Sequence, residues 1–338
     1  MQRYVFSVWV MVVCAGLAGA SLAAEGNVRF SFPVQCEIGK TCWIPNYVDL
    51  KPGPGVLDYA CGDASYDAQP GGQHKGTDIA VQDMAAMRGG VPVIAAADGV
   101  VLGQRDGIND INLKDNPKRV VESMACGNGL RIQHANGLIS QYCHMRNHSL
   151  FAFKGDRVRR GQHLGLIGLS GRTEFPHLHF QVTNKDKDII DPFVGLKRSK
   201  KCGVGKAPLW DAKTLKKTPY QPTAIYNIGF TQFKPDFKAI RAGLYKNKTY
   251  STSVPALVVW AEVFRVKLGD KLIFTIIDSS GQKIHENTLP MKATKAKYVA
   301  FSGLKRKASR WPPGAYQGKV TLVRGEEKIV ATTVLQIQ

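Results

Sequence analysis

The sequence predicts an all-β protein with two domains, and three observations carry this prediction. Short apolar runs alternate with glycine turns over residues 59–200. A second set of strand-like runs, separated by turns at roughly ten-residue spacing, covers residues 208–338. No long amphipathic helix pattern occurs within residues 59–200. We therefore expect an antiparallel-sheet domain at residues 59–196, followed by an immunoglobulin-like β-sandwich domain at residues 208–338.

The first residues have the features of an export signal. Arg3 precedes an uncharged apolar run, and small residues follow, with a suitable cleavage site at residues 21–23. We therefore predict a signal peptide at residues 1–24 and a periplasmic or secreted protein. The alternative is a membrane anchor, because residues 4–24 carry no charge and are long enough to span a bilayer. Cleavage is favoured because the second half of this segment is rich in alanine and glycine, and no later stretch could span a membrane.

Two segments connect the predicted units. Residues 25–58 form an N-terminal arm rich in proline and glycine. Residues 197–207 form a basic linker that contains the run KRSKKCGVGK. Charge is divided unevenly at this linker: residues 1–196 hold 19 Lys/Arg against 18 Asp/Glu, whereas residues 197–338 hold 27 against 8. Such a basic region attracts anionic cell-envelope polymers, or it only keeps the protein soluble, and no nucleic-acid-binding motif accompanies it.

Loss of the signal would remove Cys14 and leave an even number of cysteines, at positions 36, 42, 61, 126, 143 and 202. An even count in an exported chain suggests disulfides, and the absence of CxxC spacing argues against a cysteine metal site. Cys36 and Cys42 could close a small loop. The other four cysteines allow three pairings. We favour Cys126–Cys143, because these residues flank a predicted hairpin turn at residues 136–137, which leaves Cys61–Cys202.

Five separated residues suggest a metal site. They are His74 and Asp78 in QHKGTDIAV, His144 in SQYCHM, and His177 and His179 in FPHLHF. The spacing His-x-His on a strand places both rings on one face, because strand side chains alternate. A catalytic zinc takes three ligands of this nitrogen and oxygen type and keeps one open position. A lone histidine is more often an ordinary surface or core residue, but this ordered set favours a metal site. No HExxH helix is present.

The surrounding motifs carry a family resemblance. HKGTDIAV, GVPVIAAADGVV, GNGLRIQHANGLISQYCHM, GDRVRRGQHLGLIGLSG and RTEFPHLHF occur in this order. This run, at about residues 59–195, resembles the catalytic domain of the lysostaphin-like (M23) zinc metallopeptidases, which cut peptide bonds in bacterial peptidoglycan. The resemblance implies one zinc per chain and no other cofactor, with the metal held by His74, Asp78 and His179. It also implies that His144 and His177 are catalytic: one takes the proton from the attacking water, and the other hydrogen-bonds the developing oxyanion.

The resemblance leaves several alternatives open. The substrate it implies is a stem peptide or a cross-bridge of peptidoglycan, and we lean towards D-Ala–diaminopimelate bonds. The alternative function is a catalytically inactive wall-binding regulator of another hydrolase, although such relatives lose metal ligands that this chain retains. The chain departs from the family pattern by a long polar insertion at residues 103–125, which could reshape access to the substrate groove. Asn46 in the N-terminal arm could reach the open metal position.

Overall fold

The computed structural model of the chain describes five stretches: residues 28–69, 72–115, 124–198, 201–245 and 249–338. The predicted signal at residues 1–24 lies outside these stretches, as do residues 116–123 of the predicted insertion. Among the described residues, no helix is long and apolar enough to cross a membrane. We call residues 28–220 the N-terminal half and residues 224–338 the C-terminal half.

The N-terminal half is built mainly from strands. Its elements, in chain order, are β1 (Cys42–Asn46), β2 (Asp67–Gln69), β3 (Gly72–Gln73), β4 (Thr77–Val81), α1 (Met84–Gly89), β5 (Pro92–Ile94), β6 (Gly99–Arg105), β7 (Asn128–Gln133), β8 (Ile139–Met145), β9 (Arg157–Val158), β10 (His163–Leu166), β11 (His177–Thr183), β12 (Ile189–Ile190) and α2 (Ala212–Lys217). The main sheet runs in the order β1-β4-β11-β8-β7-β6-β9, with β12 also paired to β11. Its described pairings are antiparallel.

The register of this sheet aligns one row of residues across its central strands. Asn46 on β1 lies opposite Asp78 on β4, and Asp78 lies opposite His179 on β11. His179 in turn lies opposite Cys143 on β8. Directly opposed residues point to the same face of a sheet. The row therefore places Asn46, Asp78 and His179 side by side, on strands whose apolar residues, such as Ile79 and Leu178, belong to the core.

The chain passes from one core to the other later than the predicted boundary at residue 208. Leu209 and Trp210 are buried in the core of the N-terminal half, where Trp210 stacks on Phe180. The core of the C-terminal half begins with Ile225. The change of core therefore falls between residues 220 and 225. Residues 209 and 210 are both apolar and do not alternate with polar residues, so the sequence alone does not assign them to either core.

The C-terminal half consists of two sheets around one apolar core. Its elements are β13 (Ala224–Thr231), α3 (Phe237–Ala242), β14 (Thr249–Tyr250), β15 (Ala256–Val266), β16 (Lys271–Ile277), β17 (Lys283–Pro290), β18 (Lys295–Lys305), β19 (Gly314–Arg324) and β20 (Glu327–Ile337). One sheet has the order β13-β15-β18 and the other β14-β20-β19-β16-β17, and only the short β14–β20 pair among them is parallel. The predicted all-β, antiparallel class is confirmed. The immunoglobulin-like topology stays a prediction.

Three disulfides join the described cysteines: Cys36–Cys42, Cys61–Cys202 and Cys126–Cys143. The predicted pairings are therefore confirmed. The third bond links Cys126, two residues before β7, to Cys143 of β8, next to His144. The two halves also share a small apolar cluster, in which Trp43 of β1 packs against Tyr226 and Phe264 of the C-terminal half. The edge strand β1 of the main sheet therefore contacts the C-terminal half through this separate cluster.

Candidate metal centre

Three of the five predicted residues form a compact group on the main sheet. His74 Nε2 lies 3.1 Å from Asp78 Oδ1, and His179 Nδ1 lies 2.9 Å from the same oxygen. The two ring nitrogens are 3.1 Å apart. His74 and Asp78 are almost fully buried, and His179 is partly exposed. The three atoms thus surround one point beside the partly exposed His179 ring.

Hydrogen bonding shows that this group suits a cation. The carbonyl oxygen of Tyr47 lies 2.7 Å from His74 Nδ1 and can only accept, so the ring carries its proton on Nδ1. In the neutral ring, His74 Nε2 therefore presents a lone pair to the Asp78 carboxylate. Two facing acceptors repel unless a cation lies between them. Ligand atoms around a tetrahedral zinc are about 3.3 Å apart, close to the separations seen here. The residues therefore fit a metal ion.

The close approach of His179 depends on Gly76, which lies between the other two ligand residues in the chain. A methyl group added at Gly76 would lie 2.6 Å from Nε2 of His179 and 2.7 Å from the Phe180 carbonyl oxygen. A larger residue at position 76 would therefore displace the His179 ring or the strand that carries it. The glycine inside the HKGTD motif is explained by this lack of space.

Burial and charge act in opposite directions on the carboxylate. Burial alone would raise the pKa of Asp78, but the neighbouring His74 and His177 rings and hydrogen bonds from His177 and His179 hold this pKa well below its ordinary value. Burial lowers the pKa of His179, although Asp78 opposes this shift. The group therefore combines an ionised carboxylate with a neutral His179 ring, which is the protonation state that metal binding requires.

The other two predicted histidines lie beside this group. His177 Nε2 is 3.4 Å from Asp78 Oδ1, and its Nδ1 is 2.9 Å from the Phe175 carbonyl oxygen. His144 Nδ1 is 2.8 Å from the Ser170 carbonyl oxygen. The His144 and His177 rings are 4.7 Å apart between centroids. The structure therefore brings all five predicted residues together, and backbone carbonyl groups of Phe175 and Ser170 help to orient His177 and His144.

A bulge in β8 directs His144 towards the site. Between Tyr142 and Met145 the strand holds one more residue than its partner β7, and His144 adopts a left-handed backbone with φ of 61°. Such a conformation is strained for a non-glycine residue and occurs often at functional sites. The bulge also separates Tyr142 from the site: its side chain is buried in the core and its hydroxyl accepts a hydrogen bond from the Ala96 amide.

The predicted insertion contacts the loop 168–175, whose carbonyl groups orient His144 and His177. Asp110 accepts hydrogen bonds from the amides of Leu169 and Asn147, at 2.6 and 3.0 Å. The Leu113 amide donates to the Thr173 carbonyl oxygen, and the Asn112 side chain donates to that of Glu174. Residues 106–115, the described part of the insertion that follows β6, therefore lie along the loop 168–175 and help to fix it.

Several site residues carry no signal that sequence reasoning could have used. Tyr47, Ser170 and Phe175 act through their carbonyl oxygens, which every residue type possesses. Tyr66 stacks on His74 with 4.5 Å between ring centroids and is 41% exposed, so it lines the entrance. Glu174 points elsewhere and pairs with Lys114.

Asn46 also occupies a role that differs from the expectation. Its side-chain nitrogen donates to Asp78 Oδ2 at 2.7 Å, and its oxygen accepts from Arg265 at 2.6 Å. Both ends of the amide are thus engaged beside the ligand group. Asn46 therefore holds Oδ2 of Asp78, whereas His74 and His179 face Oδ1.

The structure thus gathers on an antiparallel sheet a His–Asp–His group that could hold a metal ion, with two further histidines beside it. Residues 72–192 match the sequence profile of peptidase family M23, and this match includes all five residues. The chain therefore carries an M23 peptidase domain.

Named relatives agree with this family. The peptidoglycan DD-endopeptidase ShyA of Vibrio cholerae serotype O1 is 33% identical over 116 residues, which cover 34% of this chain and 21% of that protein. The DD-carboxypeptidase/endopeptidase Mpg of Neisseria meningitidis serogroup B is 33% identical over 110 residues, covering 32% and 19%. The match therefore spans about a fifth of the length of these relatives. A zinc-containing peptidase from Vibrio cholerae, of known structure, is 24% identical with a TM-score of 0.33, covering 49% of this chain and 39% of that one.

Proposed function

We propose that this protein is an exported zinc metallopeptidase that hydrolyses peptide bonds in bacterial peptidoglycan. The observation that carries the proposal is the convergence of His74 Nε2, Asp78 Oδ1 and His179 Nδ1 on one point, with the proton of His74 committed to Tyr47. These three atoms would hold one zinc ion. When bound, zinc would supply a Lewis acid that polarises the scissile carbonyl and makes water a stronger nucleophile.

The hydrogen bonds of the two remaining histidines support different roles for them. His144 gives its Nδ1 proton to Ser170, and burial, followed by the neighbouring His177 and His179, holds its pKa well below the usual range. Its Nε2 therefore keeps a lone pair that can take a proton from the attacking water. His177 lies between two acceptors, the Phe175 carbonyl and the Asp78 carboxylate. The His177 ring thus lies beside Asp78 and is the candidate for hydrogen-bonding the oxyanion that develops on the substrate.

Substrate and location are inferred from several observations together. Relatives are named as peptidoglycan DD-endopeptidases, which supports D-Ala–diaminopimelate cross-links as the bonds that are cut. Three disulfides suit an oxidising compartment such as the periplasm or the external medium. The predicted signal at residues 1–24 agrees with export.

The basic part of the chain supports a further element of this proposal. Residues 197–338 carry an excess of 19 positive charges, so we expect them to hold the enzyme on anionic cell-envelope polymers. Such retention weakens as salt shortens the screening length from about 10 Å at 0.1 M to about 3 Å at 1 M. Binding of the full chain to purified walls across a salt series measures it, and salt-independent binding would contradict a role for charge.

The central test combines metal removal with a defined substrate. Cross-linked muropeptide dimers should be converted to monomers by the wild-type protein, and pentaglycine should not be cut. Chelation should abolish the activity, and about one equivalent of zinc should restore it. Full activity of the metal-free protein would contradict the proposal. Zinc binding and wall binding without any cleavage would instead favour the alternative function, an inactive regulator of another hydrolase.

A further inference from the structure

A short chain of hydrogen bonds connects the C-terminal half to the proposed metal centre. Arg265 on β15 donates to the side-chain oxygen of Asn46 at 2.6 Å, and the side-chain nitrogen of Asn46 donates to Asp78 Oδ2 at 2.7 Å. The other oxygen of Asp78 faces His74 and His179. Two residues therefore separate the C-terminal half from the point where a metal would lie.

The polarity of this chain is fixed by its two ends. A guanidinium group can only donate hydrogen bonds, and an ionised carboxylate can only accept them. The amide of Asn46 must therefore turn its oxygen to Arg265 and its nitrogen to Asp78. In this orientation Asn46 occupies Asp78 Oδ2 and leaves Oδ1 free for the metal. Asn46 is itself 9% exposed, so water has little access to replace either contact.

Arg265 is held in place by both halves of the molecule. We call the surface along which the two halves meet the seam. Its guanidinium also donates to the carbonyl oxygens of Pro45, Asp63 and Ser65, at 2.6 to 2.8 Å. Its backbone is left-handed, with φ of 54°, and its carbonyl accepts from Arg324, which pairs with the buried Asp270. The C-terminal half thus maintains a strained residue whose side chain crosses into the other half.

We propose that Arg265 is a positioning residue of the metal centre, acting through Asn46 on Asp78, so that the C-terminal half completes the site in the N-terminal half. This inference rests on the proposed function, since it assumes that the His–Asp–His group binds zinc. Groups that orient metal ligands in this way typically contribute about 10- to 100-fold in metal affinity. Affinity for zinc, rather than fold stability, is the property that this contact should control.

The experiment measures the zinc Kd of the full chain by competition with a chromophoric chelator. Arg265→Ala and Asn46→Ala should each weaken zinc binding by about 10- to 100-fold. The double variant should bind no more weakly than the worse single variant, because both changes break one chain of contacts. Lys267→Ala is the matched control: it removes an ion pair to Asp63 across the same seam, on a half-exposed side chain, and should leave the zinc Kd within about twofold.

Each outcome is decisive. Wild-type protein that binds no zinc would sink the proposed function itself. Wild-type affinity in a folded Asn46→Ala chain, or losses that add in the double variant, would overturn the role of Arg265 while leaving the zinc site standing. If Arg265→Ala does not fold, Asn46→Ala still decides, because it leaves the three backbone contacts of Arg265 in place.

A second readout separates positioning from simple docking of the two halves. Coupling between sites is reciprocal, so zinc binding should tighten the contact of Arg265 with Asn46. Amide hydrogen exchange around residues 259–266 should slow when zinc is added to the wild-type chain. The same addition should have no effect on these amides in Asn46→Ala. Equal slowing in both proteins would contradict the coupling.

Discussion

The two sides of the candidate site are held by different parts of the molecule. His74, Asp78 and His179 lie on or next to the central strands and are supported by Tyr47 and Asn46, with Arg265 of the C-terminal half behind them. We call this the metal side. His144 and His177 are oriented by carbonyl groups of the loop 168–175, which the insertion contacts. We call this the histidine side.

The difference teaches that metal affinity and turnover should be separable in this protein. The metal side depends on strand register and on a contact between the halves, so changes there should alter zinc binding. The histidine side depends on one loop and its neighbours, so changes there should alter the rate with zinc still bound. Four of the five residues are histidines, and their surroundings rather than their type assign them to a side.

Replacement of His144 gives the largest expected effect on the histidine side. His144→Ala should lower kcat by about 10²- to 10⁴-fold, because it removes the proposed proton acceptor. Zinc content should stay near one per chain. His163→Ala, which changes an exposed histidine outside the site, is the control and should keep full activity. A His144→Ala protein without zinc would move this residue to the metal side and break the contrast.

Disruption of the insertion should have a smaller effect in the same direction. Asp110→Ala leaves the amides of Leu169 and Asn147 without their acceptor, at a cost of about 1–3 kcal/mol if they stay buried. We expect kcat to fall by up to about tenfold as the loop 168–175 loosens, with an unchanged zinc Kd. Asp115→Ala, an exposed position in the same insertion, should change neither quantity. A weaker zinc Kd in Asp110→Ala would show that the insertion serves the metal side.

The pH dependence gives the smallest effect. Burial and the neighbouring His177 and His179 hold the pKa of His144 well below 6.5. The neutral ring should therefore persist as the pH falls through 6.5, and a bound cation would shift the pKa in the same direction. At about pH 6 an ordinary histidine is only about a quarter neutral, yet kcat/KM should remain near its value at neutral pH. An acidic limb with an apparent pKa near 6.5, at constant zinc content, would contradict this.

The family resemblance predicts the five site residues, and the strand period predicts how two of them are placed. The two-residue period of β11 predicts that His177 and His179 share a face, and both lie against Asp78. The disulfides are predicted differently, from the even cysteine count and from the hairpin turn that Cys126 and Cys143 flank. The direction of the His144 side chain could not be predicted. The bulge in β8 depends on pairing with β7 and leaves no pattern in the sequence of the strand.

Long-range contacts account for the rest. Arg265 lies 219 residues from Asn46 in the chain, and nothing in either local sequence connects them. Trp210 fills the first core although it follows the predicted linker, so the boundary at residue 208 could not be placed from composition. The contacts of His144 and His177 with carbonyl oxygens could not be predicted from the sequence either, since every residue has a backbone carbonyl group.

One pair of variants tests the central claim most directly. His177 and His179 lie two residues apart on β11, and both are within 3.4 Å of the same carboxylate oxygen. Zinc content and muropeptide cleavage should be measured on His177→Ala and His179→Ala purified side by side. We predict that His179→Ala loses most of its zinc and all detectable activity, while His177→Ala retains about one zinc and loses about 10²-fold or more in turnover. Equal zinc contents in the two variants would contradict the division of the site into a metal side and a histidine side.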